Sequence, residues 1–150
     1  MPIRLPQGLS IRELRIEDYD ALVMLWKELG LPYRPDGRDS RTRIGKEIGS
    51  PMAIFLVAEV DGRIIGSLLG TTDGRKGWIN RLAVHPDLQR RGVGRALVQE
   101  IERRFEDRGL LVFACLIEGG NNDSQIFFDE LGYDVDPEVR YYSKRKGKGV

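Results

Sequence analysis

The sequence has little cysteine, little histidine and no long hydrophobic run. One cysteine and one histidine occur among its 150 residues, which excludes an intramolecular disulfide and a zinc site built from cysteine clusters. No apolar stretch approaches the ~20 residues that a membrane-spanning helix needs. The first residues also lack the long apolar run of a signal peptide. These absences predict a protein of the reducing cytoplasm that has neither a metal ion nor a membrane as a partner.

An excess of charge of one sign is also missing. The chain has 24 lysines and arginines against 23 aspartates and glutamates, a formal net charge of +1. This balance argues against a general nucleic-acid binder, although it leaves room for a local basic patch. The length and the ordinary share of hydrophobic residues, 41%, are typical of one globular domain over residues 1–150. The four cations of residues 144–150 stand beside glycines and predict a flexible, solvated tail.

The order of the predicted elements indicates a mixed α/β fold with an antiparallel front half. Hydrophobic periodicity and turn residues separate the helices from the strands. They predict a strand over 9–15, a helix from Asp18 to Leu29, a weaker helix within 38–49, meander strands over 53–60, 63–71 and 78–84, an amphipathic helix over 92–107, a central strand over 110–117, a helix from 122 or 123 to 131 and a last strand near 139–143. We expect a mixed central sheet of six to seven strands flanked by about four helices.

One segment has the pattern of a phosphate-binding site. A strand that ends before Pro86 is followed by a short loop and by Gly92 and Gly94, which open an amphipathic helix. A helix N-terminus exposes unpaired N–H groups and the positive end of the helix dipole, and glycines let a ligand approach the backbone. Charge-assisted contacts can come from three neighbouring side chains, Arg90, Arg91 and Arg95. The segment therefore predicts a pyrophosphate cradle.

Two common phosphate-binding motifs do not fit this segment. The dinucleotide fingerprint requires a third glycine where the chain has Leu97, and the Gly-Lys-Ser/Thr of the nucleotide-triphosphate loop occurs nowhere in the sequence. Two glycines at a helix start also fit tight helix packing without any ligand. The more specific signal is Gln89-x-x-Gly92-x-Gly94 with a strand before it and basic residues around it.

At this motif the sequence resembles the GCN5-related N-acetyltransferase superfamily, whose acyl-CoA signature is Q/R-x-x-G-x-G/A. Residues 89–94 match that signature completely, and Asn121 with residues 127–133 resembles the closing segment N-x6-(Y/F)-x-x-L-G-F/Y of the family. The resemblance covers nearly the whole chain, because the order of elements is also that of the family. It implies an acyl-CoA N-acyltransferase-like fold and direct transfer of an acetyl group from acetyl-CoA to a primary amine of a small molecule, peptide or protein.

The resemblance also implies which residues contact acetyl-CoA, in a V formed where two parallel strands splay apart. Leu82 and Val84 would offer backbone groups to the pantetheine and the acetyl carbonyl. The amides of residues 89–96 would hold the pyrophosphate, and Asn121 with the ring of Phe128 would line the far side. The expected contact set is Leu82, Ala83, Val84, Gln89, Arg90, Arg91, Gly92, Val93, Gly94, Arg95, Ala96, Asn121 and Phe128.

The catalytic groups are less defined, because the sequence departs from the family pattern. Phe128 stands where many members have a tyrosine that protonates the leaving sulfur, and Leu116 stands where some have a glutamate base. Strand alternation predicts that residues 78, 80, 82 and 84 share a face without any ionisable side chain. We therefore expect a water-relayed base or an already neutral amine. Asn80 would orient the water, Glu118 would lie at the cleft edge, and Phe128 would pack beside the sulfur.

Three function classes stay open at this point. The leading hypothesis is an N-acetyltransferase. The second is a non-catalytic acyl-CoA-binding module of the same fold, which is favoured by Phe128 and by the lack of an ionisable side chain where family members have their base. The third is a nucleic-acid-associated protein, which the near-zero net charge makes the least favoured. Mixed charges over residues 30–50 indicate neither a strictly cationic nor a strictly anionic acceptor. The oligomeric state, a homodimer included, stays open.

Overall fold

The chain forms one five-stranded sheet with helices on both of its faces. A computed structural model describes residues 4–148 and residue 150. Short 3-10 turns at Ile16–Asp18 and Pro86–Leu88 precede the first and third α-helices. In chain order the elements are β1 (Leu9–Glu13), α1 (Tyr19–Glu28), α2 (Arg41–Ile48), β2 (Ala53–Val60), β3 (Arg63–Thr72), β4 (Gly77–Val84), α3 (Val93–Asp107), β5 (Phe113–Cys115) and α4 (Asn122–Glu130).

The strands lie in the sheet in the same order as in the chain, β1-β2-β3-β4-β5. The first four pair antiparallel, and β5 pairs parallel to β4 after the crossover through α3. Asp61 and Gly62 form the tight turn between β2 and β3 with φ values of 51° and 78°. This positive-φ turn suits the twist of a hairpin and is the reason for the Asp-Gly pair there.

Helix α3 packs directly on one face of the sheet, because β3 and β4 present glycines to it. The buried stripe of α3 repeats every four residues and consists of Val93, Leu97, Ile101 and Phe105. A Cβ atom on Gly70 would lie 2.6 Å from Cδ1 of Ile101 and 2.9 Å from the carbonyl oxygen of Ile54. A Cβ atom on Gly77 would collide with the ring of Phe105. The glycines therefore set the close approach of α3 to the sheet.

Helices α1 and α2 cover the opposite face. Leu22, Leu25 and Trp26 of α1 and Ile44 of α2 are buried there in a second apolar cluster. Helix α2 begins after Ser40, whose hydroxyl accepts a hydrogen bond of 3.2 Å from the amide of Arg43. Such a cap satisfies one of the unpaired amides of the first turn. The weaker helix that the sequence predicts within 38–49 is therefore present.

The prediction of six to seven strands is wrong. The described residues form five strands, whereas the expectation of about four helices agrees with α1 to α4. No strand forms near 139–143, because Val139 and Tyr141 are 70% and 69% exposed and so bury no apolar face. The segment over 110–117 contributes only β5 at the edge of the sheet rather than a central strand, and Leu111 is 84% exposed.

Two further features concern the ends and surfaces of the chain. Within the predicted basic tail, residues 144–148 contain neither helix nor strand, and residue 149 lies outside the described residues. In the part of the chain that the structure describes, the helices are too short or too polar to cross a lipid bilayer.

The substitution Gly70→Ala tests the close packing of α3. We expect it to lower the free energy of unfolding by about 1–3 kcal/mol, because the added methyl group overpacks a filled core. Urea denaturation followed by circular dichroism measures the change. Gly119→Ala is the control, since a Cβ atom there meets nothing within 4 Å, and it should change stability by less than about 0.5 kcal/mol. Equal denaturation midpoints for Gly70→Ala and the unmodified chain would contradict the packing.

Candidate functional site

Strands β4 and β5 pair over a short distance and then separate. Their register joins Gly77 to Phe113 and ends where Ile79 meets Cys115, while β4 continues to Val84. Parallel strands that stop exchanging hydrogen bonds leave an opening between them, and a cavity of about 600 Å³ begins there. Its lining includes residues 79–82 of β4 on one side and, on the other, residues 115–118 at the end of β5 and just after it, with Asn121 and Phe128 behind them.

A β-bulge at Arg81 alters the direction of β4 beside this cavity. The register with β3 pairs Asn80 with Leu69 and Ala83 with Ser67, so the two residues between them on β4 oppose one residue of β3. Arg81 has a φ of 53°, a left-handed conformation that is uncommon for a residue with a side chain.

The bulge reverses the side-chain alternation of β4, so the prediction that residues 78, 80, 82 and 84 share one face is wrong. Ile79 and Leu82 both pack in the apolar cluster beside α3, although they are three residues apart, and Ala83 packs in the cluster beside α1. Trp78 and Asn80 therefore face the α1 and α2 side, whereas Leu82 and Val84 face α3. The side chain of Ala83 points away from α3, so a ligand on that side meets only its backbone.

The conformation of Arg81 is held by groups from three other parts of the chain. Its guanidinium donates to Oδ2 of Asp39 at 2.9 Å and to the carbonyl of Pro32, and it lies 4.9 Å from the centre of the Trp26 ring. Its carbonyl accepts a 2.9 Å hydrogen bond from the hydroxyl of Ser67, which in turn accepts one from Nε1 of Trp26. Burial lowers the pKa of the Arg81 guanidinium, and Asp39 opposes that change.

Asp39 is the buried partner that joins the segment between α1 and α2 to the cavity wall. It is 6% exposed, and Oδ2 also accepts a 2.7 Å hydrogen bond from the amide of Arg34. The carbonyl of Asp39 accepts a further hydrogen bond from Oη of Tyr19 at 2.7 Å. A buried carboxylate needs such partners to offset its lost hydration. No local motif identifies the Asp39–Arg81 pair, because the two residues are far apart in sequence.

The loop before α3 presents a row of unpaired backbone amides. Arg90 and Gly92 have φ values of 62° and 83°, both in the left-handed region. When left-handed and right-handed residues alternate along a chain, successive backbone N–H groups point toward the same side. Within the described chain the backbone amides of residues 90–95 donate no hydrogen bond, whereas the amides of Gln89 and Ala96 donate to backbone carbonyls. The side chain of Gln89 donates to the carbonyl of Val84 at 3.0 Å and closes the loop. This geometry suits an anion.

Helix α4 forms the far wall of the cavity. Asn121 caps the helix by accepting a 3.1 Å hydrogen bond from the amide of Ser124. The buried ring of Phe128 contacts the rings of Phe127 and Tyr133 edge to face, with 5.1 Å between centroids in each pair. A Cβ atom on Gly94 would lie 3.4 Å from Cζ of Phe127. Gly94 therefore has a packing role in addition to any role in ligand approach.

The three predicted catalytic residues all line the cavity, while their roles stay predictions. Nδ2 of Asn80 donates to Oγ1 of Thr71 at 3.2 Å, and Glu118 and Phe128 lie on the side formed by β5 and α4. The hydroxyl of Tyr133 donates to Glu102 at 2.7 Å, and burial followed by this hydrogen bond raises the pKa of Tyr133. Burial also raises the pKa of the Cys115 thiol, to about 11. At neutral pH the thiol and the phenol are therefore protonated.

Glu47 of α2 also lines the cavity, and the sequence analysis missed it. Burial raises the pKa of its carboxyl above the ordinary value, Arg43 opposes this change, and Asp39 adds to it. The signal was present in the helix pattern. Glu47 lies three residues after Ile44, on the apolar side of α2, where a charged residue is unusual.

The fold and this site define an acyltransferase domain, and the chain belongs to the acetyltransferase (GNAT) family, whose model matches residues 11–133. The acetyltransferase SG1711 of Sodalis glossinidius is 31% identical over 137 residues, which cover 91% of this chain and 95% of that protein. The acetyltransferase ECA0875 of Pectobacterium atrosepticum is 32% identical over 127 residues, with coverages of 85% and 89%. The chain is therefore an acetyl-CoA-dependent acetyltransferase.

Solved structures show the same fold. The PaiA N-acetyltransferase of Thermoplasma acidophilum, solved in complex with coenzyme A, has a TM-score of 0.78 and 22% identity, covering 87% of this chain and 92% of its own. The aminoglycoside acetyltransferase AAC(6')-Iy, solved with a bisubstrate analogue, has a TM-score of 0.77 and 23% identity, with coverages of 91% and 98%.

The substitution Asp39→Ala tests the anchoring of the bulge. It leaves the Arg81 guanidinium buried without its carboxylate, and we expect a loss of about 3 kcal/mol in the free energy of unfolding. The matched control is Asp20→Ala, which breaks an exposed ion pair with Arg41 at 3.0 Å and should cost less than about 1 kcal/mol. Chemical denaturation measures both losses. Similar small losses in the two variants would show that the Asp39–Arg81 pair does not hold the bulge.

Proposed function

We propose that this acetyltransferase transfers the acetyl group directly from acetyl-CoA to a primary amine. The observation that carries the proposal is the separation of β4 from β5, which opens a single cavity lined both by residues 115–118 beside α4 and by residues of the α1 and α2 side. A thioester beside Leu82 and an amine from the α2 side can meet there without a covalent enzyme intermediate. Such positioning alone can supply up to ~7–11 kcal/mol of the rate enhancement.

The unpaired amides of residues 90–95 are the proposed site of the pyrophosphate. Three observations support a fit to this group: the left-handed residues that align the amides, the dipole of α3 behind them, and the exposed side chains of Arg90, Arg91 and Arg95. The pantetheine would then follow residues 82–84 toward the cavity, with Asn121 and Phe128 across from it.

The bulge supports a role for the backbone at Leu82 in polarising the thioester. Arg81 and Leu82 have no paired residue in the register with β3, and the register with β5 has ended before them. A backbone N–H that is free of the ladder can donate to the oxygen of the tetrahedral intermediate, and losing such a donor typically costs about 10²–10³ in rate. This contribution requires no particular side chain.

The proposed chemistry is a single displacement. The amine nitrogen loses a proton to water, its lone pair forms a C–N bond with the acetyl carbon, and the C–S bond breaks. The departing thiolate of coenzyme A takes a proton from solvent, because Phe128 has none to give and the hydroxyl of Tyr133 is bonded to Glu102. Asn80 can both donate and accept hydrogen bonds and would orient the relaying water.

The names of similar proteins support an amine as the acceptor class without selecting one amine. They include aminoglycoside N-acetyltransferases and a ribosomal-protein-S18-alanine N-acetyltransferase of Escherichia coli. Release of coenzyme A, followed over a panel of small amines, peptide N-termini and lysine peptides, tests the proposal. No release with any amine would favour a non-catalytic acyl-CoA-binding module instead.

The pyrophosphate site is tested by Gly92→Val. A side chain at this left-handed residue should disturb the row of amides, and we expect the dissociation constant of coenzyme A, measured by calorimetry, to rise at least about tenfold. Gly62→Val is the matched control, because Gly62 has a similar φ of 78° in a distant hairpin turn. Unchanged affinity in a folded Gly92→Val variant would place the pyrophosphate elsewhere.

The water relay is tested by Asn80→Ala, Glu118→Gln and Phe128→Tyr. A positioned side-chain base contributes about 10²–10⁴ in rate, so we expect each variant to lower kcat/KM by much less than about 10². The pH profile of kcat/KM should follow the pKa of the acceptor amine. A loss of about 10³ in Glu118→Gln, with coenzyme A affinity unchanged, would identify a dedicated base and contradict the relay.

A further inference from the structure

The cavity has a second half, on the side of α1 and α2, which the proposed acetyl-CoA contacts do not use. Its walls come from the segment after α1, from α2, and from β2 and β3. Half of the side chains on these walls are apolar, namely Leu31, Ile44, Phe55 and Leu69, and the others are Arg38, Asp39, Glu47 and Thr71. We call the four apolar residues, together with Glu47, the acceptor half. Its apolar walls suit the hydrocarbon body of a ligand.

The four charged side chains that line this side of the cavity sum to zero, but one of them lies apart from the other three. Asp39 and Arg81 neutralise each other at 2.9 Å, and the mostly exposed Arg38 lies 3.9 Å from the same carboxylate. For the carboxylate of Glu47, the described residues provide no hydrogen bond, and Arg43 acts on it only through a longer-range attraction. Among the described residues Glu47 therefore has neither an ion-pair partner nor a hydrogen bond, although the net charge of this side of the cavity is zero.

The surroundings of Glu47 make this charge selective. The residue is partly buried and stands beside Ile44 on the apolar side of α2. Partial burial penalises its ionised form, which is why the pKa of its carboxyl is raised. A cation in the cavity would relieve that penalty through a charge-assisted contact, a neutral group would leave it in place, and an anion would increase it.

We propose that Glu47 determines acceptor specificity by binding the ammonium group of a cationic amine whose body is apolar. This inference rests on the proposed amine acetylation and names its substrate class. The ammonium would enter the acceptor half against Glu47 and release its proton to water before attack. The amine nitrogen would then form the C–N bond while the C–S bond breaks, so Glu47 binds the substrate and contributes no atom to the product.

The test compares two ligands that differ mainly in charge, 2-phenylethylamine and 2-phenylethanol. Binding of each to the full chain, saturated with coenzyme A, is measured by calorimetry at pH 8, where an alkylamine is protonated. We expect the unmodified chain to bind the amine about tenfold more tightly than the alcohol, and Glu47→Gln to reduce that ratio to below about threefold. The control Glu17→Gln removes an exposed carboxylate outside the cavity and should preserve the ratio.

Kinetics provide a second readout that a merely structural role would not change in the same way. Glu47→Gln should raise the KM of alkylamine acceptors about tenfold while kcat and the KM of acetyl-CoA stay within about threefold, and Glu47→Asp should restore part of the loss. Equal affinity of the unmodified chain for the two ligands, no binding of either at millimolar concentration, or a preserved preference in a folded Glu47→Gln variant would each overturn the proposal. A preference for the amine without any release of coenzyme A would instead contradict amine acetylation alone.

Discussion

The separation of β4 from β5 is the constraint on which the rest of the site depends. If the two strands continued to pair beyond Ile79 and Cys115, the ladder would occupy the space of the cavity. The bulge at Arg81 prevents this, because it removes two residues of β4 from regular register and turns the strand. A left-handed residue with a side chain costs of order 1 kcal/mol or more. The contacts of Arg81 with Asp39, Trp26 and Ser67 offset that cost.

The near-neutral net charge of the chain does not describe the local charges of the site. Exposed arginines and unpaired amides surround the start of α3, whereas the carboxylate of Glu47, which has no hydrogen bond among the described residues, lines the acceptor half from α2. These positions are the ones proposed above for the pyrophosphate of acetyl-CoA and for the ammonium group of the acceptor. A total of +1 excludes neither, because binding responds to local fields rather than to the sum.

Local patterns predicted the parts of the molecule that depend on local interactions. The β2–β3 turn follows from Asp61-Gly62, and helix α3 follows from apolar residues spaced by four. The segment over residues 89–94 indicated the loop and helix start that the structure shows, and the family that the sequence resembles is the one to which the chain belongs.

The failed predictions depend on contacts between distant residues. The bulge, which distributes residues 78–84 over both faces of the sheet, is stabilised by Asp39. Nothing in the sequence around Asp39 indicates that it pairs with Arg81. The strand expected near 139–143 has a strand-like composition, but no surface that would bury its apolar residues. Glu47 was detectable in principle, since it interrupts the apolar side of α2. A charged residue on the apolar side of a helix points to a site only once the structure shows a cavity next to it.

The coincidence of sheet order and chain order has a consequence for how the protein folds. Strands β2, β3 and β4 form a meander of short loops, and contacts between neighbours in sequence require little loop closure. Strand β5 reaches its place only after α3 has crossed the sheet, and it offers a ladder of three residues. We therefore expect the meander to form early and the β5 wall to join late. The binding cavity would then be among the last parts of the chain to be completed during folding, and among the first to open during unfolding.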